Sequence, residues 1–354
     1  MTDTLQTAVV GVSGYAGAEL ARLLLHHPRL KNAPPVFAGR VDAKDEARGG
    51  VPLEEIHPQL AAGHPTSLKL EPFSWELLAS RGVQVLFLAT PHEQSRVWVP
   101  EALARGLRVI DLSGAWRLTD AANRAIYNFE DEGSAQAEAI QAQAVYGLPE
   151  LHRSQIVGAR LIANPGCYAT SVILALRPLI AAGIVDLGRG IVADSKSGVS
   201  GAGKVPSAKT HFMYAADNLS AYGIFTHRHA GELLEQIPID ESQIIFTPHL
   251  LPIPRGILST LYVHFREVQT AATVSRIYRD FFAACPMVRL YDKTLPQIQH
   301  SLRTCYADIG FQLAADGRRA VVVSCLDNLL KGASSQAVQN LNLMQGWREA
   351  EGLE

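Results

Sequence analysis

The stretch Asn164-Pro165-Gly166-Cys167-Tyr168-Ala169-Thr170 places a thiol where chemistry can use it. Pro165 and Gly166 suit neither a helix interior nor a central strand, so they read as a tight turn. The apolar run from Tyr168 to Leu176 has helical length and meets no breaker before Pro178. Cys167 therefore stands where a loop enters a helix, and unpaired N–H groups and the positive end of the helix dipole collect there. Both favour a thiolate, the nucleophilic form of the side chain. A small buried hydrophobe is the other reading, because unbridged cysteine is among the most buried residue types. The turn alone leaves the two evenly matched.

A second cluster, Thr226-His227-Arg228-His229-Ala230-Gly231-Glu232, opens another helical stretch. His and Glu are metal ligands, and they are also general acids and bases. No other knot of Cys, His or Asp has matching spacing, which weighs toward acid–base work. Glu232 follows His229 by three positions and reaches its ring on a helix. His227 precedes the helix and is the freer of the two to face a cleft.

The start of the chain carries a different device. The β-rich run Thr7-Ala8-Val9-Val10 leads into Gly11-Val12-Ser13-Gly14-Tyr15-Ala16-Gly17, and a helical pattern follows from Ala18. Strand, glycine turn and helix form the dinucleotide-binding arrangement, in which the backbone approaches a pyrophosphate and a helix N-terminus faces its charge. The spacing is GxxGxxG, so an ordinary βα turn is the competing reading. The next strand ends on Arg40, with Lys44 close behind, where an NAD binder places an acid; a cation there suits the 2′-phosphate of NADP. Two more buried strands end at Thr90-Pro91 and Ser113, which puts these residues and Arg117 at the mouth of a ligand site. Arg117 suits an anionic group, since a guanidinium meets phosphate in bidentate fashion. The segment from Ser195 through Ser197, Gly198 and Gly203 to Lys204 reads as a cationic loop over phosphate or nicotinamide.

These pieces need a scaffold, and 354 residues supply two cores. With 47% hydrophobic and 19% charged residues the chain is expected to be a soluble globule. A net charge of −2 with no basic run argues against nucleic acid as a partner. No apolar run reaches membrane-spanning length, and residues 1–6 lack a basic leader. Cys167, Cys285, Cys305 and Cys325 show no CxxC spacing, so reduced thiols and a cytoplasmic location are expected. The element pattern predicts an α/β chain: a Rossmann-type parallel sheet over 1–150, then an α+β domain with a mainly antiparallel sheet over 151–326. Asp316-Gly317 marks a hairpin in the second. The helix after Gly332 is expected to return to the first.

Taken together and in order, the motifs resemble the N-acetyl-γ-glutamyl-phosphate reductase family, relatives of aspartate-semialdehyde dehydrogenase. The resemblance rests on Gly11–Leu20, Asn164–Tyr168, Gly198–Gly203, His227-Arg228-His229, Pro248-His249-Leu250, Arg255-Gly256-Ile257-Leu258 and Asp327–Gly332, and covers nearly the whole chain. It implies reduction of an acyl phosphate to an aldehyde by NADP(H), with Cys167 as nucleophile and His227 as acid–base, assisted by His229 and Glu232. It implies Arg117, Asn164, Lys204 and Arg255 around the substrate, and Gly11, Ser13, Gly14, Tyr15, Ala16, Gly17, Arg40, Pro91, Ser197, Gly198 and Asn328 around the cofactor. It also implies a first domain completed by residues 327–354, and a homodimer or homotetramer. Gly231 replaces a family proline, and Ala115 replaces a family aspartate in Asp111-Leu112-Ser113-Gly114-Ala115-Trp116-Arg117. A sister group acts on a one-carbon-longer, carrier-bound aminoadipyl phosphate, and Asn164-Pro165-Gly166-Cys167-Tyr168 looks more like the arginine-pathway version. A cysteine hydrolase would leave the glycine turn and Arg40 unexplained, and a non-catalytic NADP sensor would leave the cysteine turn unexplained.

Overall fold

The computed structural model describes residues 4–60 and 68–354. Residues 1–3, part of the N-terminus read as lacking a leader, lie outside the described residues. The chain forms two compact units. The first comprises residues 1–117, 129–164 and 334–354; the second comprises residues 118–128 and 165–333.

The first unit is built on eight strands: β1 (Thr7–Val10), β2 (Val36–Gly39), β3 (Val51–Pro52), β4 (Lys69–Pro72), β5 (Val85–Leu88), β6 (Arg108–Asp111), β7 (Ala144–Tyr146) and β8 (Leu161–Ala163). Their order is β3-β4-β2-β1-β5-β6-β8-β7, and all neighbours are parallel except β3 and β4. β1 and β5 are buried at every position, as the unbroken apolar runs of a sheet covered on both faces require. The helix Ser335–Met344 is buried at all ten positions and packs on the helices Tyr15–His26 and Pro149–Val157 and on β6.

The second unit holds β9 (Ile191–Gly198), β10 (Ser220–Ala221), β11 (Ile244–Leu251), β12 (Ile257–His264), β13 (Val288–Tyr291), β14 (Ala307–Leu313) and β15 (Arg319–Leu326). The order is β10-β11-β9-β12-β15-β14-β13, with only the β11–β9 and β14–β13 pairs parallel. β14 and β15 form the antiparallel pair around Gly317, whose φ of +64° glycine accepts without strain. β11 and β12 are not neighbours: the Pro252–Pro254 connection carries the chain across β9, which lies between them. The helix Cys167–Ala181 covers one face of this sheet. Its Ser171 hydroxyl lies within hydrogen-bond distance of the Ser259 (2.9 Å) and Ser324 (3.1 Å) hydroxyls, and Ser195 and Ser259 share a bond of 2.7 Å. Buried Val172, Ile173, Leu174, Leu176 and Leu179 hold the helix there at about 1.5–3 kcal/mol each. The opposite face leaves Val192, Ile245 and Tyr262 exposed.

The boundary expected near 150 falls at 164, because β8 sits between β6 and β7 in the first sheet. Residues 118–128 belong instead to the second unit. Glu235 explains this: its carboxylate accepts the Thr119 N–H and hydroxyl at 2.7 Å, the Asp120 N–H at 3.1 Å and the Asn123 side-chain amide at 3.1 Å. Gly231 faces the same segment. A Cβ there would stand 3.0 Å from Leu118 and 3.1 Å from Asn123, so the position of the family proline is filled here by a packed loop. Residues 327–333 stay with the second unit, and the return to the first begins at Ser334 rather than at 327.

Candidate active site

Cys167 is the first residue of its helix. Gly166 is the N-cap, in extended backbone with no side-chain cap, so the first-turn N–H groups surround the thiol. The Gly166 N–H donates to Oε2 of Glu232 at 2.9 Å. Glu232 is fully buried, and its Oε1 lies 3.9 Å from Nε2 of His229. The His229 ring packs on Gly166 so closely that a Cβ there would stand 2.6 Å from the ring carbon Cδ2. Gly332, in the π turn Leu330–Ser334, closes on Cys167 from another direction; its own Cβ would come within 2.7 Å of the cysteine Cβ. Three glycine and carboxylate contacts thus fix the thiol and one imidazole together.

His227 stands beside His229 and meets it through the backbone. Its Nδ1 accepts the His229 N–H at 3.1 Å, and its ring stands edge-on to Tyr168 and Tyr222. Burial, reinforced by His229 and Arg228 and opposed by Glu232, lowers its pKa to about 3. His227 thus presents a neutral, hydrogen-bond-accepting imidazole to the His229 backbone. Tyr168 donates its hydroxyl to the His249 carbonyl at 2.7 Å, and Tyr222 reaches the Tyr168 hydroxyl at 3.5 Å.

Cys167, Ser197, Gly198, Tyr222, His227, His229 and others line a cavity of about 490 Å³ within the second unit. Gly198 must lack a side chain, since a Cβ would stand 2.6 Å from the Arg255 nitrogen. Asn328 holds this region: its Oδ1 accepts the Gly256 N–H at 2.7 Å and its amide donates to Ser200 at 3.0 Å. Ser195–Gly198 belong to β9 rather than to a loop, and Lys196 is paired with Asp194 at 2.6 Å. Lys204 is exposed and does not line the cavity. Arg255 grips Asp327, fully buried, at 2.9–3.2 Å, an ion pair that ties two strand ends together. Among the described residues no group of three or more His, Cys, Asp or Glu has the arrangement of a metal site.

In the first unit the glycine turn has the predicted form. Gly14 is the N-cap of the helix Tyr15–His26, again with no side-chain cap. Gly11 has φ +96°, and a Cβ on it would stand 2.7 Å from the Ala89 carbonyl carbon. A Cβ on Gly17 would stand 2.8 Å from the Gly11 carbonyl carbon, so helix and strand can meet only as glycines. An open helix start framed by bare backbone fits a dinucleotide pyrophosphate. Ser13, Tyr15 and Ala16 sit on the same turn, Pro91 caps the helix His92–Ala104, and Arg40 is exposed just past β2. Arg117 is not at an open mouth. It is 8% exposed and donates to the carbonyls of Asn164 (2.7 Å) and Leu112 (2.8 Å). Asn164 is fully buried, and its Oδ1 accepts from Asn340 at 3.1 Å. Both residues expected at the substrate therefore brace the first sheet. Beside them Trp116 stacks under the Arg96 guanidinium at 4.2 Å, filling the region where the family pattern departs.

The semialdehyde dehydrogenase NAD binding domain model matches residues 6–159, and the semialdehyde dehydrogenase dimerisation domain model matches residues 167–328. The chain is 41% identical over 355 residues to N-acetyl-gamma-glutamyl-phosphate reductase of Desulfotalea psychrophila, covering 99% of this chain and 98% of that one. Its identity to the reductase of that name from Methanococcus maripaludis is 39%, covering 98% and 97%. The chain belongs to the N-acetyl-γ-glutamyl-phosphate reductase family. Its fold is also that of aspartate semialdehyde dehydrogenase II from Vibrio cholerae, solved with ASA, at a TM-score of 0.70 and 18% identity over 98% of this chain and 99% of the other. Against this reductase-family background the sequence reading missed Tyr222 and Lys209, both of which line the cysteine cavity. Tyr222 lies five residues before His227, a cue a closer reading could use. Lys209 has no motif around it.

Proposed function

We propose that this chain reduces N-acetyl-γ-glutamyl phosphate to N-acetylglutamate 5-semialdehyde and phosphate with NADPH, through a thioester on Cys167, in arginine biosynthesis. The observation that carries this reading is the joint fixing of Cys167, His229 and Glu232 at one helix start. His229 takes the thiol proton as sulfur attacks the acyl carbon, and the buried Glu232 carboxylate orients it. Phosphate leaves with the electrons of the C–O bond and the thioester remains. First-turn N–H groups of the cysteine helix hold the carbonyl oxygen as negative charge develops on it. NADPH, when bound, supplies the hydride. Collapse of the thiohemiacetal breaks the C–S bond, releases the aldehyde and returns the sulfur to its starting state. His227, kept neutral, positions His229 through the backbone N–H it accepts.

The glycine turn at Gly11, Gly14 and Gly17 holds the pyrophosphate of NADP(H), and Arg40 meets the 2′-phosphate. In the second unit we assign to the cofactor Ser197 and Gly198, which line the cysteine cavity, and Asn328, which braces that region. The exposed apolar face of the second sheet, carrying Val192, Ile245 and Tyr262, takes a second copy of the chain in a homodimer or homotetramer. Among the described residues no helix is long and apolar enough to cross a membrane. With none of the four cysteines in a disulfide, we place the enzyme in the cytoplasm.

The test is the reaction run backward: NADP reduction with N-acetylglutamate 5-semialdehyde and phosphate. Wild type is expected to turn over. Cys167→Ser is expected to lose about four orders of magnitude or more while binding NADP normally. Normal turnover by Cys167→Ser, or, in the forward direction, hydrolysis of the acyl phosphate to the free acid and phosphate with no oxidation of NADPH, counts against the reading.

A further inference from the structure

The acyl phosphate proposed above carries two anionic groups, a carboxylate and a phosphate, and both call for cations near the thiol. The arginines that the motifs offered are committed elsewhere: Arg117 to two backbone carbonyls and Arg255 to Asp327. Two cations do line the cavity that contains Cys167, namely Lys209 and Arg228. The Arg228 guanidinium lies over the Tyr127 ring at 5.5 Å. Among the described residues the Lys209 ammonium makes no ion pair or hydrogen bond.

The backbone that carries Lys209 is pinned. The Ser207 carbonyl accepts the N–H groups of Thr210 (3.1 Å) and His211 (2.9 Å), and the Ser207 N–H donates to the Thr210 hydroxyl at 3.0 Å. Lys209 is thus the third residue of a closed turn whose flanking residues, Ser207 and Thr210, face the same cavity. A lysine is a compact charge with three donors on a flexible stem, suited to an oxyanion that must arrive and leave.

We propose that Lys209 is the anion anchor of the acyl substrate, pairing with its carboxylate or its phosphate while the acyl carbon meets Cys167. The inference rests on the proposed reductase activity.

The experiment is steady-state kinetics in the backward direction, with N-acetylglutamate 5-semialdehyde and inorganic phosphate varied in turn. Lys209→Gln is expected to raise one of these two KM values about 10- to 100-fold, the usual worth of a charge-assisted bond. The turnover number should stay within about twofold and KM for NADP should not move, while Lys209→Arg recovers most of the loss. A rise for the semialdehyde assigns the carboxylate, and a rise for phosphate assigns the phosphate; either supports the anchor. In wild type the affected KM should climb with ionic strength, and in Lys209→Gln that dependence should flatten. Wild-type turnover with both constants unmoved in Lys209→Gln overturns the anchor alone. An equal rise in KM for NADP, or no recovery with Lys209→Arg, marks a structural role and also overturns it. A wild type with no turnover sinks the reductase reading, and the anchor with it.

Discussion

Two helices in this protein begin the same way and serve different ends. The helices Tyr15–His26 and Cys167–Ala181 both follow a glycine N-cap in extended backbone, at φ −81° and −73°, and neither has a side-chain cap. At the first, the neighbours are bare backbone, Gly11 and Gly17 pressed together, and the start is left for an anion to fill. At the second, Glu232 takes the Gly166 N–H, His229 covers Gly166, and a thiol occupies the first position. An uncapped helix start is therefore only an electropositive opportunity. What packs against its glycine decides whether it binds a ligand or activates a side chain.

The sharpest way to break the comparison is to add one methyl group at each start. Gly166→Ala must push the His229 ring, and a shift of that kind is expected to lower the turnover number by about 100-fold while NADP binding holds. Gly17→Ala meets rigid backbone, so NADPH affinity, followed by the fluorescence of the reduced cofactor, should collapse while alkylation of Cys167 keeps its rate. If both variants lose both properties, the two starts are not independent. The histidine pair comes next. His229→Asn is expected to reduce turnover by about 10²- to 10⁴-fold, the range of a general acid–base, and His227→Asn by about tenfold. The reverse ranking would return the role to His227.

A smaller effect belongs to Arg40. Arg40→Ala should raise KM for NADPH about tenfold and leave KM for NADH in place, whereas equal losses would make Arg40 structural. The mildest effect is on acid stability, and it touches both units. Burial lowers the pKa of His27 in the first unit and takes that of His227 to about 3 in the second. The unfolded chain takes up these protons near pH 6.5, before the folded chain does. Stability is thus full above about pH 6.5 and is lost as pH falls toward 3. Urea midpoints should decline between pH 7 and 5, and His227→Gln should shallow that decline; a flat profile in wild type would contradict it.

What was legible in the sequence was local. The glycine turn, the cysteine helix start and the hairpin at Gly317 each depend on a few adjacent residues and on backbone rules. The charged residues were visible as charges, but their partners were not. Arg117 and Arg255 look like anion binders until Asn164, Leu112 and Asp327 are seen to occupy them. The segment 118–128 carries no sign that Glu235, more than a hundred positions on, will claim it. His227 reads as a titrating base because sequence shows the ring and hides its burial. Lys209 reaches the cavity only through tertiary folding, and no spacing rule reports that.

The first unit is discontinuous. Its buried helix Ser335–Met344 is made only after every residue of the second unit has been joined to the chain. Until then the helices Tyr15–His26 and Pro149–Val157 and the strand β6 lack the partner that packs on them, although the cofactor turn precedes that helix by more than three hundred positions. The nascent chain therefore carries a complete glycine turn on an unfinished platform, and the first unit acquires cofactor binding late, as a property of the whole polypeptide. A gene cut at residue 164 to express that unit alone would yield an aggregating product, whereas one that splices 334–354 onto it would restore the missing partner.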